Sequence, residues 1–279
     1  MDADVALRVD GLSKAFDRTR ALDGLHLHAS YGEVLALFGP NGAGKTTALR
    51  CVAGVLVPDA GTITVGGAPA GSIAAQDALS FLPEQPDLYP SLTVAEHLRF
   101  VALAHRLDGW EPHAATLLGR FDLNDQRDAL PGALSQGMRR KTALIMALLH
   151  GARVLLLDEP FNGLDPQGAA ELRALISDLA AGGAAVVVST HGLAVAERLA
   201  QRAVIMQQGR AIAEGTPEQL RRHAGMPEGA DLEAVFLALT GGTRDPTGRS
   251  GDRGDGAHSN SDHSDQGDRD RSARDRSTR

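Results

Sequence analysis

The sequence predicts an α/β fold built on a mainly parallel sheet, and three observations carry that prediction. Between Arg153 and Met206, apolar strands alternate with a helix: Val154–Leu157, a helical run near Ala169–Ala180, then Ala185–Val188. The short apolar run Glu33–Phe38 leads straight into a glycine-rich loop, and good helix formers follow over Thr47–Ala53. From about residue 92 to residue 150 the chain turns helical, with Val94, Leu98, Val101 and Ala102 on one face and Ala143, Ala147 and Leu148 on another.

The other elements follow in order. Val5–Val9 and Leu25–His28 read as strands ahead of the glycine loop. Gly61–Gly67 alternates between glycines, the pattern of an edge strand. Thr216, Pro217 and Gln219 form the N-cap, first-turn proline and capping-box glutamine of a short helix, and Asp231–Thr240 forms another. The composition changes at Gly241. Residues 241–279 hold eight arginines and eight aspartates, with no apolar side chain larger than proline. Such a segment cannot offset its ordering entropy and is expected to be a disordered tail.

The bulk numbers exclude several functions. With 279 residues and 43% hydrophobic content, the chain can bury a sizeable core. A net charge of −7 gives no general basic surface, so no direct nucleic-acid partner is expected. The tail is neutral, so this charge belongs to the folded part. Cys51 is the single cysteine, which leaves no disulfide within the chain and fits a reducing cytosol. The acidic start Met1-Asp2-Ala3-Asp4 carries no secretory signal, and no apolar run approaches the ~18 residues of a membrane span. Any membrane role is expected to run through a partner.

The chemistry concentrates in Gly39-Pro40-Asn41-Gly42-Ala43-Gly44-Lys45-Thr46-Thr47, which reads G-x-x-x-x-G-K-T. Between a strand and a helix, this loop turns successive backbone N–H groups toward one anion. Gly39, Gly42 and Gly44 let the backbone approach phosphates closely. Lys45 is expected to reach the β- and γ-phosphates, and the Thr46 hydroxyl to sit on Mg²⁺. The three lysines of the chain are Lys14, Lys45 and Lys141, so one of them falls inside this loop. Val154–Glu159 is an apolar strand ending in two acids. Asp158 suits the Mg²⁺ hydration shell, and Glu159 can face an attacking water. His191 follows the strand Val186–Val188, where a γ-phosphate can be sensed, and Leu134-Ser-Gln-Gly-Met138 precedes an Ala- and Leu-rich helix.

In this order and spacing the set resembles the ATP-binding cassette (ABC) ATPases over residues 5–240. The resemblance implies a P-loop NTPase core with an antiparallel β subdomain and an inserted helical subdomain near 92–150. It makes residues 1–240 the ATPase domain, with ATP and Mg²⁺ as cofactors. Leu134–Met138 is similar to the family's signature motif. Its Gly-Met form, followed by Arg139-Arg140-Lys141, is more like the cassettes of ABC-2 type exporters. Gly163-Leu164-Asp165 matches the D-loop, and His191 the switch histidine. Phe16 takes the place of the aromatic that stacks on adenine, usually Tyr, and Phe keeps the π face. The Q-loop position falls in Leu82–Pro90. Counting back from Leu88-Tyr89-Pro90 it lands on Glu84, with Gln85 as the alternative.

The resemblance further implies a head-to-tail dimer with a second copy or a homologous ATPase subunit. The phosphate loop of one subunit then faces Ser135 and Gly137 of the other. An integral membrane permease is the implied partner, at the cytoplasmic face of the membrane, where the chain is peripheral. Two alternatives stand beside an exporter subunit: an importer ATPase, which shares every catalytic motif, and a soluble cassette acting on ribosomes or DNA. Against the soluble class, the stretch from Gln85 to Leu134 holds neither heptads nor a cysteine pair, and the chain has one phosphate loop.

Overall fold

The computed structural model describes residues 4–192 and 197–240. The tail expected over 241–279 lies outside the described residues.

Two sheets stack around the glycine loop. The first is antiparallel, in the order β2-β1-β4-β5, formed by β1 (Val5–Phe16), β2 (Thr19–Ser30), β4 (Ala60–Val65) and the two-residue β5 (Ala68–Pro69). The Gly61–Gly67 stretch expected at an edge is therefore one place in, because β5 pairs with its outer side. The second sheet runs β10-β9-β3-β8-β7-β6. It contains β3 (Val34–Phe38), β6 (Leu79–Leu82), β7 (Val154–Asp158), β8 (Ala185–Thr190), β9 (Arg202–Gln207) and β10 (Arg210–Gly215). The pairs β3/β8, β3/β9, β6/β7 and β7/β8 are parallel, and β10 alone turns back on β9.

Every residue of β3, β7 and β8 is buried, so these strands are apolar on both faces, as the centre of a covered parallel sheet requires. The pleat sorts them by parity. Leu155, Leu157, Val186 and Val188 pack on the helical side. That side is built by α3 (Val94–Ala104), α4 (Glu111–Arg120), α5 (Gln136–Leu148) and α6 (Pro166–Ala181). Leu35, Leu37, Val154, Leu156 and Val187 pack on the opposite side, against the antiparallel sheet and α1 (Lys45–Val52). Truncating one of these core leucines to Ala costs about 2–5 kcal/mol.

The helix starts follow local chemistry. Thr93 and Glu96 close a reciprocal capping box on α3, Ser135 caps α5, and Asp165 caps α6. The predicted Thr216/Gln219 box opens α7 (Pro217–His223), with both of its hydrogen bonds formed. Asp231 caps α8 (Leu232–Leu239), and Phe236 of α8 meets Phe38 edge to face, ring centroids 5.1 Å apart. The short helix α2 (Ile73–Ala78) leads into β6.

Candidate functional site

Register decides what meets at the carboxyl edge of the parallel sheet. Phe38 pairs with Thr190, and Asp158 with Ser189, so β3, β7 and β8 end level with one another. Gly39, Glu159 and His191 each follow one of these ends. Ligands in open α/β sheets bind at this edge.

There the chain forms a cleft of about 440 Å³. Pro40, Asn41, Gly42, Ala43, Lys45 and Thr46 line one side of it, and Glu84, Glu159, Asn162 and His191 the other. Glu84 lines both this cleft and a neighbouring one, whereas Gln85 lines only the neighbouring one, with Gln136, Arg139 and Arg140. Gly39, Gly44 and Thr47 do not line the cleft, and the two glycines shape the loop from behind. A Cβ on Gly39 would come within 2.5 Å of the Met206 carbonyl oxygen. Gly44 has φ +102°, and a Cβ there would come within 2.5 Å of the Ala21 carbonyl oxygen. Only glycine fits both positions.

Lys45 is buried and donates to the carbonyl oxygens of Gly39 (2.6 Å) and Pro40 (3.3 Å). Its Nζ also stands 3.7 Å from Glu159 Oε1, and His191 Nδ1 stands 2.9 Å from Glu159 Oε2. Glu159 itself has φ +46°, a left-handed conformation costing an L-residue on the order of 1 kcal/mol. The bend is held by its N–H, which donates to Ser189 Oγ at 2.9 Å. The Ser189 hydroxyl donates in turn to Asp158 Oδ1.

Asp158 is fully buried, and its Oδ2 has no hydrogen-bond partner among the described residues. A buried carboxylate oxygen left unpaired is costly. Asp158 does not itself line the cleft; it lies one residue before Glu159, which does, and its orphan oxygen fits the expectation of a hydrated Mg²⁺.

Phe16, Ser135 and Gly137 also lie outside this cleft. Phe16 ends β1 and is 46% exposed, with Lys14 Nζ 5.7 Å from its ring centroid. Ser135 is exposed at the start of α5, where its Oγ accepts the Met138 N–H at 3.2 Å. Gly137, two residues on, sits close to Gly163: a Cβ there would come within 3.1 Å of the Gly163 carbonyl oxygen.

Sequence reasoning gave no role to Asn162, Ser189 or Arg140. Asn162 sits in the quoted Pro160–Pro166 run but carries no spacing signal of its own. Ser189 acts through a strand neighbour, and Arg140 reads as one charge in a basic triplet.

The comparisons agree with this geometry. The family model for the ABC transporter matches residues 22–162. The chain is 40% identical to the Nod factor export ATP-binding protein I of Burkholderia pseudomallei over 216 residues, 75% of this chain and 70% of that one. It is 38% identical to the daunorubicin resistance ATP-binding protein DrrA3 of Streptomyces coeruleorubidus over 256 residues, covering 87% and 81%. A solved ATP-binding subunit of an ABC transporter superposes with TM-score 0.80 at 35% identity, over 84% of this chain and 99% of the other. With a phosphate loop, a paired acid and a strand-end histidine converging on one cleft, this chain belongs to the ABC transporter family, as an ATP-binding subunit that hydrolyses ATP.

Proposed function

We propose that the chain powers an exporter from the cytoplasmic face of the membrane, as one of two ATPase subunits docked on an integral permease. The observation that carries this reading is the convergence of Lys45, Thr46, Glu84, Glu159 and His191 on one cleft. The export direction draws support from relatives named for Nod factor export and daunorubicin resistance. No helix among the described residues is long and apolar enough to cross a membrane.

The chemistry follows from the residues. The Lys45 ammonium neutralises the β- and γ-phosphates of ATP, and the loop N–H groups cradle them. Phe16 offers its exposed ring to adenine. Thr46, Asp158 and Glu84 would hold Mg²⁺, which supplies charge neutralisation on the phosphates when bound. Glu159, bent toward the cleft, orients the attacking water and takes its proton, and His191 steadies the γ-phosphate. Ser135 and Gly137 sit outside their own chain's cleft at an exposed helix start. That start offers donors to the γ-phosphate held by a second subunit.

ATP then joins two subunits and hydrolysis releases them. Each tenfold preference of the joined state for ATP over ADP makes about 1.4 kcal/mol available to bias the permease.

The test is Glu159→Gln in the full chain with Mg²⁺ and ATP. An ATP-dependent dimer that persists without turnover is the expected result, read by light scattering. A variant that stays monomeric with ATP overturns the dimer. For the membrane role, cells with and without the candidate permease are fractionated. Retention at the membrane only with the permease supports the reading, and sedimentation with ribosomes or DNA overturns it.

A further inference from the structure

The β6–β7 ladder ends at the pair Leu82 and Leu157, one residue short of the acids that face the cleft. Pro83, next in the chain, has no N–H to give to a further rung. One side chain takes over. Arg140, on the second turn of α5, is only 5% exposed. Its Nη1 donates to the carbonyl oxygens of Pro83 (3.0 Å) and Glu84. Its Nη2 donates to those of Asp158 (2.9 Å) and Glu159 (2.7 Å). The rigid fork of a guanidinium matches two such pairs at once, which an ammonium cannot do. Burial draws the Arg140 pKa below its ordinary value, and the nearby Asp158, Glu84 and Glu159 carboxylates oppose that shift.

We propose that Arg140 is a positioning residue for ATP hydrolysis: its fork sets the placement of Glu84 relative to Glu159 in the cleft. The proposal rests on reading those two acids as site residues. It goes further by giving the helix that begins at Ser135 a direct hold on both of them. A shift of α5 therefore moves the backbone of the water-orienting acid and of the 84–90 segment together, with no step through the phosphate loop.

The experiment is steady-state ATPase kinetics on the full chain. Arg140→Lys keeps the charge and loses the fork. Arg140→Gln loses both. We expect kcat to fall about tenfold or more in Lys and further in Gln, with KM for ATP within about threefold of wild type. The double variant Glu84→Ala/Arg140→Lys should fall by less than the product of the two single effects, because part of the Arg140 change acts through Glu84. If Gln fails to fold, the Lys variant and the double variant decide. Wild-type kcat in Arg140→Lys overturns the proposal. So does a parallel fall of kcat, ATP affinity and melting temperature, or simple additivity with Glu84→Ala, since these mark a merely structural residue. Glu159→Gln is the control: if it turns over ATP like wild type, the reading of the site has failed rather than the role of Arg140.

Discussion

His191 and Glu159 meet at one wall of the cleft, imidazole Nδ1 2.9 Å from carboxylate Oε2. The two residues stand 32 positions apart and meet because β7 and β8 end level. Glu159 is thus held from two sides, by His191 on one oxygen and Lys45 on the other. A water bound beside it meets a carboxylate whose direction is already set.

Glu159→Gln should therefore keep ATP affinity and lower turnover by about 10²- to 10⁴-fold, the usual size of a general-base contribution. The amide fills the same space but accepts no proton. Rate and equilibrium nucleotide binding are measured on one preparation. A near wild-type rate removes Glu159 from the catalytic role.

Lys45→Ala and Phe16→Ala separate the two ends of the nucleotide. Loss of the Lys45 ammonium removes a charge-assisted contact and weakens ATP more than ADP. Loss of the Phe16 ring should cost ATP and ADP equally, about 0.5–1.5 kcal/mol. Titration calorimetry with both nucleotides reads the difference. A Phe16 variant that loses ATP and retains ADP in full does not fit an adenine platform.

Glu84→Ala should impair Mg²⁺-dependent turnover more than Gln85→Ala, since Glu84 lines the cleft and Gln85 a neighbouring one. Rates across a Mg²⁺ titration give the ranking, and the reverse order moves the role to Gln85.

The surface proposed to meet a permease changes between sequence and structure. Pro86, Leu88, Tyr89 and Pro90 form an apolar cluster in the sequence, but Leu88 turns inward against the helical core. Tyr89 stays 52% exposed, edge-on to the half-exposed Phe100, ring centroids 5.5 Å apart. Buried His97 pins it: Nε2 accepts the Tyr89 N–H at 2.8 Å, so Nδ1 carries the proton given to the Thr93 carbonyl oxygen, also at 2.8 Å. Tyr89→Ser with Phe100→Ser should keep basal ATPase and reduce permease-dependent membrane retention. Unchanged retention places the contact elsewhere.

Stability should depend on pH through His150. Burial lowers its pKa from the ordinary value, and the stacked His105 ring, centroid 3.9 Å away, lowers it further. The Leu79 carbonyl and Asp77 oppose the shift. The unfolded chain then takes up the proton first as pH falls. The contribution is present in full above the unfolded pKa of about 6.5 and is lost as pH drops through the lower folded value. Melting temperature should fall below about pH 6.5, and His150→Gln should flatten that slope. An equal slope in the variant rules out His150 as its source.

Local chemistry made much of this protein legible in its sequence. The loop Gly39–Thr47 needs two conformations that only glycine tolerates. The Thr216/Gln219 box closes within one turn, and the buried strands β3, β7 and β8 announce themselves by unbroken apolar runs. Each of these depends on neighbours a few residues away. What the tertiary structure decided depends on pairing between distant segments. Strand order put β5 outside β4. Register put His191 on Glu159, and Glu84 rather than Gln85 lines the cleft. The roles of Ser189 and Arg140 exist only in three dimensions. A serine at a strand end and an arginine on a helix carry no pattern of their own, and they acquire one when the fold brings unpaired carbonyls and a left-handed glutamate within reach.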